Sequence, residues 1–538
     1  MGTLPLRYGA ERGQTWRGTR TITWRVTLYR HRDPASLSHD LTPFCSNVRT
    51  HKALGEPAGA WSMTLKSQVL AHAGRIASGP NDRRELDWRD EIDDDDWIRI
   101  DVHDGRRWTL WYGMVDSVRR QVSPGERGAR IVSFSVAGRD FAKPLVENEL
   151  VDLPFAPYDP VMAQGSFYDA VNALASMPEG ATPGVVVGAL FEYLMRGGGY
   201  RVPRRRTWAL PPSLPLRTQY GPRDANDRQF SDMLVLALDT ELEGAFSPLS
   251  ILSMANQQSR TWDLLSACSN KILNEMYVDL VPTQTIDPAI MADYFRALGE
   301  AYEVEPTLVL REKPFPAHPE TTPDRPFSRM PSEHWQALPE TAIHELDFEL
   351  DDMGRSHTDR FNYFLLESGG NALIAKYILT LASAHAGGED GFWGGMPAVD
   401  LASVEIHGWR KMEQSSTFID VNAESFDPYV AWTRLLRDWY ALGHRYLNGR
   451  VRVVYALPGV HIGERLRIVR REGEEHAYIE AVDHDLSVGS NGVQRGRTTL
   501  SLTRGVRGSM VQLPDVRSGV RGPGDATLAV LPADRIAP

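Results

Sequence analysis

The hexapeptide WIRIDV (residues 97–102) alternates apolar and polar side chains from Ile98 onward, which is the period of a half-buried β-strand. An Asp104-Gly105 pair follows, and strand-like runs resume at 108–118 and 131–136. Asp-Gly between two alternating runs is a strong hairpin signal. We therefore predict an antiparallel meander of three strands, inside a small barrel or sandwich.

A similar pattern occurs near the other end of the chain. The tripeptide Leu466-Arg467-Ile468 matches Ile98-Arg99-Ile100, and in both copies a glycine follows six residues after the arginine. Further matches join Val115-Asp116 with Val482-Asp483, and Phe134-Ser135-Val136 with Leu500-Ser501-Leu502. Either any two antiparallel meanders look alike in this way, or the chain carries a duplicated barrel-forming unit.

Duplication would have a geometric consequence. Homo-oligomers usually close with point symmetry, so two similar barrels in each subunit give six barrels in a closed trimer. Such a ring has near six-fold symmetry and can sit on a six-fold tube. It also keeps three-fold features that can receive a trimeric partner.

Hydrophobic periodicity predicts the remaining elements. Strands are predicted at 21–29, 61–65, 276–280, 307–311, 342–350, 362–366, 451–455, 465–469, 477–482 and 498–502. Helices are predicted at 226–242, where leucines recur every four residues, at 287–298, at 428–446, and from Ser259 or Thr261 onward, with Trp262, Leu265, Cys268 and Ile272 on one face.

The predicted fold class is α+β and β-rich, with two similar tube-like β-barrel domains around an intervening α+β region. The predicted divisions are an N-terminal arm at 1–15, a first β-barrel domain at 16–145, a middle α+β domain at 146–340, a second β-barrel domain at 341–510 with a helical insertion at about 368–446, and an extended C-terminal tail at 511–538.

Composition excludes several classes of protein. The chain has 538 residues, of which 42% are hydrophobic, so it can bury several cores and is not disordered throughout. Its formal charge of −11 argues against a dedicated nucleic-acid binder. Cys45 and Cys268 are too few and too far apart for a disulfide framework, so we predict two free, buried thiols. The N-terminus lacks a signal-peptide core, and the apolar stretch 184–195 is too short to cross a bilayer.

Two charged clusters stand out. The acidic run Asp93–Asp96 has adjacent carboxylates and no intervening glycine, unlike a calcium loop, and we predict a solvated loop of mutually repelling charges. The basic cluster Arg201–Arg206 lacks interleaved aromatic residues, so docking of another protein is favoured over nucleic acid.

No catalytic, cofactor-binding or metal-binding residue is predicted. The zinc motif H-E-x-x-H, the G-x-S-x-G elbow and the phosphate-binding G-x-x-x-x-G-K motif do not occur. The adjacent pairs His344-Glu345 and His484-Asp485 lie in or beside strands, where neighbouring side chains point to opposite faces. A carboxylate pair for glycan cleavage stays open, because its defining separation is spatial.

Four segments together resemble the baseplate or tail hub proteins of contractile phage tails, the late control protein D-like family. The chain is also similar to the N-terminal hub module of type VI secretion spike proteins. The segments are Trp61–Leu65, Trp111–Asp140, the run from Trp262 to Asp279 continuing at Pro306–Phe315, and the pair Tyr478–Asp485 and Arg497–Gly505. The stretch 368–395 looks like an insertion into this pattern.

The resemblance implies a structural protein rather than an enzyme, without cofactors. It implies a homotrimeric hub with two barrels in each subunit, which forms a central channel and joins the tail tube above to a trimeric spike below. The chain stops soon after the second barrel, so the spike is expected to be another protein, with the tail after Val511 leading toward it. Other baseplate proteins and a tape-measure protein in the channel are further expected partners.

The expected location is the virion tail, assembled in the host cytoplasm, with DNA only in transit and no membrane insertion. An acidic inner wall would keep transiting DNA from adhering. Two alternatives remain open from sequence. One is a tail-associated cell-wall hydrolase, and the other is a hub or distal tail protein of a non-contractile tail.

Overall fold

A computed structural model describes the following residues: 15–16, 22–30, 38–67, 87–104, 107–124, 130–149, 181–196, 234–239, 260–282, 304–316, 335, 338–368, 398–416, 427–441, 443–489 and 491–507. The predictions for the helix at 287–298, the basic cluster at 201–206, the stretch 369–397 and the tail at 511–538 lie outside these residues.

Twenty strands and six α-helices form the described part of the chain. The strands are β1 Thr15–Trp16, β2 Thr23–Tyr29, β3 His39–Asp40, β4 Cys45–Ala53, β5 Ala60–Lys66, β6 Trp97–His103, β7 Arg107–Pro124, β8 Arg130–Asp140, β9 Val235–Asp239, β10 Asn274–Pro282, β11 Val304–Glu312, β12 Glu340–His344, β13 Phe348–Gly354, β14 Tyr363–Ser368, β15 Ala398–Val399, β16 Lys411–Ser416, β17 Leu447–Val453, β18 Arg465–Arg470, β19 Gly473–Val488 and β20 Gln494–Arg507. The helices are α1 Trp88–Glu91, α2 Lys143–Glu147, α3 Pro183–Arg196, α4 Thr261–Ala267, α5 Leu401–His407 and α6 Asp427–Tyr440.

Fourteen of these strands form one sheet. It contains two six-stranded units, which we call the N-unit (β2 and β4–β8) and the C-unit (β12, β13 and β17–β20). Hydrogen-bonded neighbours run β2-β6-β7-β8-β5-β4 in the N-unit and β12-β18-β19-β20-β17-β13 in the C-unit. When the six strands of each unit are numbered in chain order, their order across the sheet is 1-4-5-6-3-2 in both units. One pairing differs, because β2 is antiparallel to β6 whereas β12 is parallel to β18.

The two units share two of their register shifts, while three others, after Ile100, His476 and Leu447, occur in one unit only. A register shift interrupts β7 between Val115 and Ser117, and β19 between Ile479 and Ala481. A second shift follows Cys45 in β4, and its counterpart follows Phe348 in β13. A single turn of 3₁₀-helix precedes each of these two strands, at 42–44 and at 345–347. Bulges are specific features of a strand pair, so this agreement supports duplication over chance likeness of meanders.

The register corrects the sequence match in two of its three strands. The match of Arg99 to Arg467 holds. Arg99 pairs with Tyr112, three residues before the β7 bulge begins at Val115, and Arg467 pairs with His476, three residues before the β19 bulge begins at Ile479. However, the bulges make Val115-Asp116 equivalent to Ile479-Glu480, three residues before the predicted partner. In the last strand Val136 is equivalent to Leu500, because they face Val118 and Val482. Alternation looks the same after a shift of two residues, so the sequence pattern could not detect that error.

Each unit buries one face of its sheet in its own core. The N-unit core includes Trp24, Val48, Met63 and Val136, and the C-unit core includes Val451, Leu466 and Leu500. The alternate residues of the central strands form an opposite face that is polar. The prediction of a β-rich chain is thus confirmed, but the two units share one sheet in the described residues. The middle and the insertion each add a three-stranded sheet, β10-β11-β9 and β15-β14-β16.

The middle of the chain contains one clear correction. Residues 235–239, within the helix predicted at 226–242, form strand β9, which pairs in parallel with β11. Leucines four residues apart lie on one face of a helix, but four is also a multiple of the strand period, so the pattern fits both. The strands around 276–280 and 307–311 agree with prediction. Helix α4 forms with Trp262 and Leu265 buried, but it ends at Ala267, so Cys268 and Ile272 lie beyond the helix on which they are predicted. Helix α6 ends at Tyr440, earlier than the predicted 446.

Candidate assembly surface

The N-unit and the C-unit meet edge to edge, and this junction is the first part of the candidate surface. Residues 47–53 of β4 pair antiparallel with residues 481–487 of β19. On the polar face, His51 Nδ1 lies 2.5 Å from Asp483, and Arg49 lies 3.8 Å from Asp485. The hydrogen bond that His51 donates to the Asp483 carboxylate raises the pKa of His51 to about 9, so the imidazole is charged at neutral pH. β4 therefore supplies basic groups to the junction, and β19 supplies acidic ones.

A buried ion pair lies on the opposite face of the junction. Lys52 Nζ contacts Asp140 Oδ2, and the two side chains are 5% and 2% exposed. The carboxylate also accepts hydrogen bonds from the backbone N–H groups of Gly59 and Ala142, both at 2.9 Å. Nearby, burial raises the pKa of Asp279 in β10 to about 7, while the charge of Lys52 opposes that rise. This cluster connects the N-unit to the middle sheet.

The middle sheet has a second anchor on the C-unit. Arg311 of β11 is 1% exposed and lies 2.8 Å from Glu275 of β10. Its guanidinium also donates to the carbonyl of Gly463 at 2.7 Å and to the hydroxyl of Tyr478 in β19 at 3.0 Å. A buried arginine with all these partners fixes the middle sheet against β19.

Strands β13 and β7 each have an edge without a partner strand among the described residues, as do the two-residue strands β1 and β3 at the ends of the large sheet. β13 pairs with β17 along one side, and no described strand covers its other side. β7 pairs with β6 only as far as Met114, so beyond Val115 that side likewise lacks a described partner strand. Val122 on β7 is 53% exposed, whereas the equivalent residue of β19, Leu486, is fully buried beside β4. Exposed edges of this kind are templates for pairing with another strand.

The polar face of both units forms a groove of about 770 Å³. Small side chains, including Ser62, Ser117, Ala137 and Thr499, line its floor. Its charged lining consists of Arg49, His51, Asp116, Arg139, Arg450, Arg452, Asp483, Asp485 and Arg497. Each of the three carboxylates faces a cation of the groove, and Asp116 lies 2.9 Å from Arg139. This face therefore carries more basic than acidic side chains.

The acidic run at 93–96 is less exposed than predicted. Asp96 is buried, and its Oδ2 accepts the backbone N–H of Asp93 at 3.0 Å. Asp95 lies 2.6 Å from Lys143 Nζ, which also lies 2.8 Å from Asp116 at the β7 bulge. The prediction of mutually repelling solvated charges is wrong here, because a buried lysine compensates part of the run. In the residues described, no three His, Cys, Asp or Glu side chains are grouped to hold a metal ion.

The adjacent pairs and the thiols lie as the sequence predicts. His484 points into the core, where burial lowers its pKa to about 4, and Asp485 points to the polar face. Cys45 and Cys268 are buried and free, and burial raises the pKa of both thiols. Of the helices described, none is long and apolar enough to span a membrane.

Sequence reasoning missed β4 and did not separate β13 from β12. Along β4 the inward positions are Val48, Thr50 and Lys52, so only one of three is apolar and the alternation is weak. Both strands share an arrangement of 3₁₀ turn, strand and bulge, at 42–48 and 345–351. This repeat would identify them, but it is visible only in the backbone and not in the sequence.

No family model matches the chain, and no curated protein matches it. Among solved structures, it is similar to the tail protein from Neisseria meningitidis MC58, with 11% identity, a TM-score of 0.41, and coverage of 90% of this chain and 96% of that one. It is similar to the 43 kDa tail protein of prophage MuSo2 from Shewanella oneidensis, with 12% identity, a TM-score of 0.38, and coverage of 92% and 98%. A lidless PdpA–VgrG complex matches with 7% identity, a TM-score of 0.36, and coverage of 90% and 65%.

These matches, two tail proteins and a VgrG complex, are proteins of the kind that the sequence resembles. With TM-scores below 0.5, they carry no argument about assembly or activity. Those conclusions have to come from the geometry of this chain.

Proposed function

We propose that this chain is a structural hub subunit in the tail or baseplate of a phage or phage-like contractile injection machine. Three copies form a ring that adapts a six-fold tail tube to a three-fold spike and encloses the central channel. The tail tube protein lies above the ring, the spike lies below it, and other baseplate proteins surround it. The protein is located in the virion tail after assembly in the host cytoplasm.

One observation carries this proposal. Two six-stranded units with the same strand order and two equivalent bulges stand edge to edge within one chain. A subunit that contains two equivalent units can match a partner whose symmetry is twice its own, which is the requirement at a junction between six-fold and three-fold structures. The sequence resemblance to tail hub proteins is independent support. The fold has no need of a cofactor for this role, and we propose no enzymatic activity.

Solution mass and particle images test the proposal together. The full chain is expected to form trimers by light scattering, alone or after addition of its tube and spike proteins. Negative-stain images of those trimers are expected to show rings with six similar lobes. A chain that stays monomeric with both partners present would overturn the proposal.

A hydrolase assay separates the enzyme alternative. The purified chain is expected to leave peptidoglycan intact under conditions in which a control lysozyme digests it. The tail at 511–538 is proposed to contact the spike, so truncation after Leu513 should weaken spike binding but not folding. Unchanged spike binding by that truncated chain would remove the role of the tail and leave the ring proposal standing.

A further inference from the structure

The junction inside the chain is a template for a junction between chains. In the N-unit, β4 lies beside residues 481–487 of β19, the fifth strand of the C-unit. The C-unit equivalent of β4 is β13, and the N-unit equivalent of β19 is β7. Both β13 and β7 have an edge without a partner strand in the described part of the chain. One copy of the junction is therefore formed within the chain, and the two halves of a second copy are present but separate.

The two open edges do not pair with each other in the described chain. Along the sheet the order is β13-β17-β20-β19-β4-β5-β8-β7, so six strands separate them. At about 4.8 Å between neighbouring strands, the edges lie roughly 34 Å apart along the sheet. No described strand of the same chain pairs with either edge, and a second copy of this chain carries the complementary edge.

The bulges give the register of the missing junction. Within the chain, Arg49 faces Asp485 and His51 faces Asp483. The shift after Cys45 corresponds to the shift after Phe348, so Arg49 is equivalent to Asp352. Counting from the β7 and β19 bulges, Asp485 is equivalent to Gln121. Asp352 of one copy should therefore face Gln121 of the next, within an antiparallel pairing of residues 350–356 with 117–123.

The charges at the two junctions are complementary but reversed. Inside the chain, the β4 edge is basic and the β19 edge is acidic. At the open edges, β13 carries Asp352 and also Asp351, which already pairs with Arg470 of the same chain, whereas β7 carries Arg119 and Arg120, and all four residues are exposed. Pairing β13 with β7 brings opposite charges together. Pairing two copies of β13 or two copies of β7 would bring like charges together, which disfavours those contacts.

A glycine provides room for one of these arginines. The β13 residue equivalent to His51 is Gly354, and a Cβ added at Gly354 would meet nothing within 4 Å. The residue that should face it is Arg119 of the next copy, because Arg119 is equivalent to Asp483. The bulky arginine on β7 thus faces the residue with no side chain on β13.

We infer that residues 350–356 of β13 pair antiparallel with residues 117–123 of β7 in a neighbouring copy of this chain, with Asp352 facing Gln121. This inference rests on the proposed ring and names the surface that closes it. The contact is heterologous, so repetition around a three-fold axis alternates N-units and C-units and leaves neither edge open.

Disulfide trapping tests the register directly. Asp352 and Gln121 are both exposed, and directly opposed residues of an antiparallel pair have Cα atoms about 4.5–5.5 Å apart, within disulfide range. The variant Asp352→Cys with Gln121→Cys is expected to give covalent trimers on oxidation. The matched control, Asp352→Cys with Val122→Cys, moves one thiol to the other face and should give none. The native thiols are buried and should not interfere.

Charge reversal provides a second readout. Asp352→Arg alone is expected to weaken trimers up to about fivefold at each interface, and adding Arg119→Asp should restore them. Trimers by light scattering without the specific crosslink would refute the pairing while the ring proposal stands. Crosslinking in the control pair would refute the register. Monomers under every condition would refute the ring itself.

Discussion

Replacing Lys52 with methionine tests the buried contact beneath the junction of the two units. The lysine is the side-chain cation on Asp140, and both groups are nearly inaccessible to solvent. Methionine has a similar length and keeps the packing near Phe141, whose ring centroid lies 5.9 Å from Nζ. The substitution therefore removes the charge and little else. Asp140 keeps only the backbone N–H groups of Gly59 and Ala142.

The expected cost follows from the charge that remains. Removing one partner of a buried ion pair typically destabilises a protein by about 3–5 kcal/mol, because the other charge is left uncompensated. For a folding unit of 150–250 residues, that corresponds to a fall in melting temperature on the order of 10 °C. Tryptophan fluorescence can follow the transition, because Trp61 and Trp111 lie in the N-unit sheet. The surface pair Lys411–Glu413 provides a control, and Lys411→Met should cost about 1 kcal/mol or less.

A double variant separates the pair from its surroundings. Adding Asp140→Asn to Lys52→Met removes the second charge and should recover a large part of the loss, so the two effects should not be additive. If Lys52→Met lowered the melting temperature no more than Lys411→Met does, the pair would not be the buried contact described. Full additivity of Lys52→Met and Asp140→Asn would equally contradict direct pairing.

Two further predictions concern the sheet. A Cβ at Gly138 would lie 1.9 Å from the carbonyl oxygen of Met114, so Gly138→Ala should force β7 and β8 apart and destabilise the N-unit by about 1–3 kcal/mol in urea unfolding. Gly55→Ala, where nothing lies within 4 Å, should stay within about 0.5 kcal/mol, and equal effects at the two sites would contradict the packing. The pKa of His51 is raised from 6.5 to about 9, so the stability it adds is fully present below pH 6.5 and is lost as the pH rises through 9. Because the side chain is 39% exposed, His51→Gln should cost no more than about 1 kcal/mol at pH 6 and almost nothing at pH 10, whereas a cost that grows with pH would show the wrong sign.

Local patterns were sufficient to predict the strands that bury one apolar face. The meanders around residues 97–136 and 465–502 have a clear period of two, and both form as predicted. The same reasoning failed for β4, whose inward Lys52 is satisfied only by Asp140, 88 residues further along the chain. It also failed for β9, because leucines spaced by four fit a strand as well as a helix.

The assembly surface could be predicted only in outline. Duplication was visible as two similar patterns, but its register depended on single bulged residues such as Asp116, which look ordinary in sequence. The charges of Arg119 and Asp352 are plain in the sequence, yet nothing local shows that one lies on an open edge and the other on its complement. That placement follows from which distant strands occupy the remaining edges.

By itself, the sequence determined that this chain is β-rich, that it contains two related three-stranded meanders, and that its two thiols are buried. Only the tertiary structure decided that the two units share one sheet through β4 and β19, and that β7 and β13 keep open edges. The physical reason is that the alternation of apolar and polar residues within a strand specifies which face of that strand is buried. Pairing depends on backbone groups that every residue carries, so the choice of neighbour and register is made by contacts between residues hundreds of positions apart.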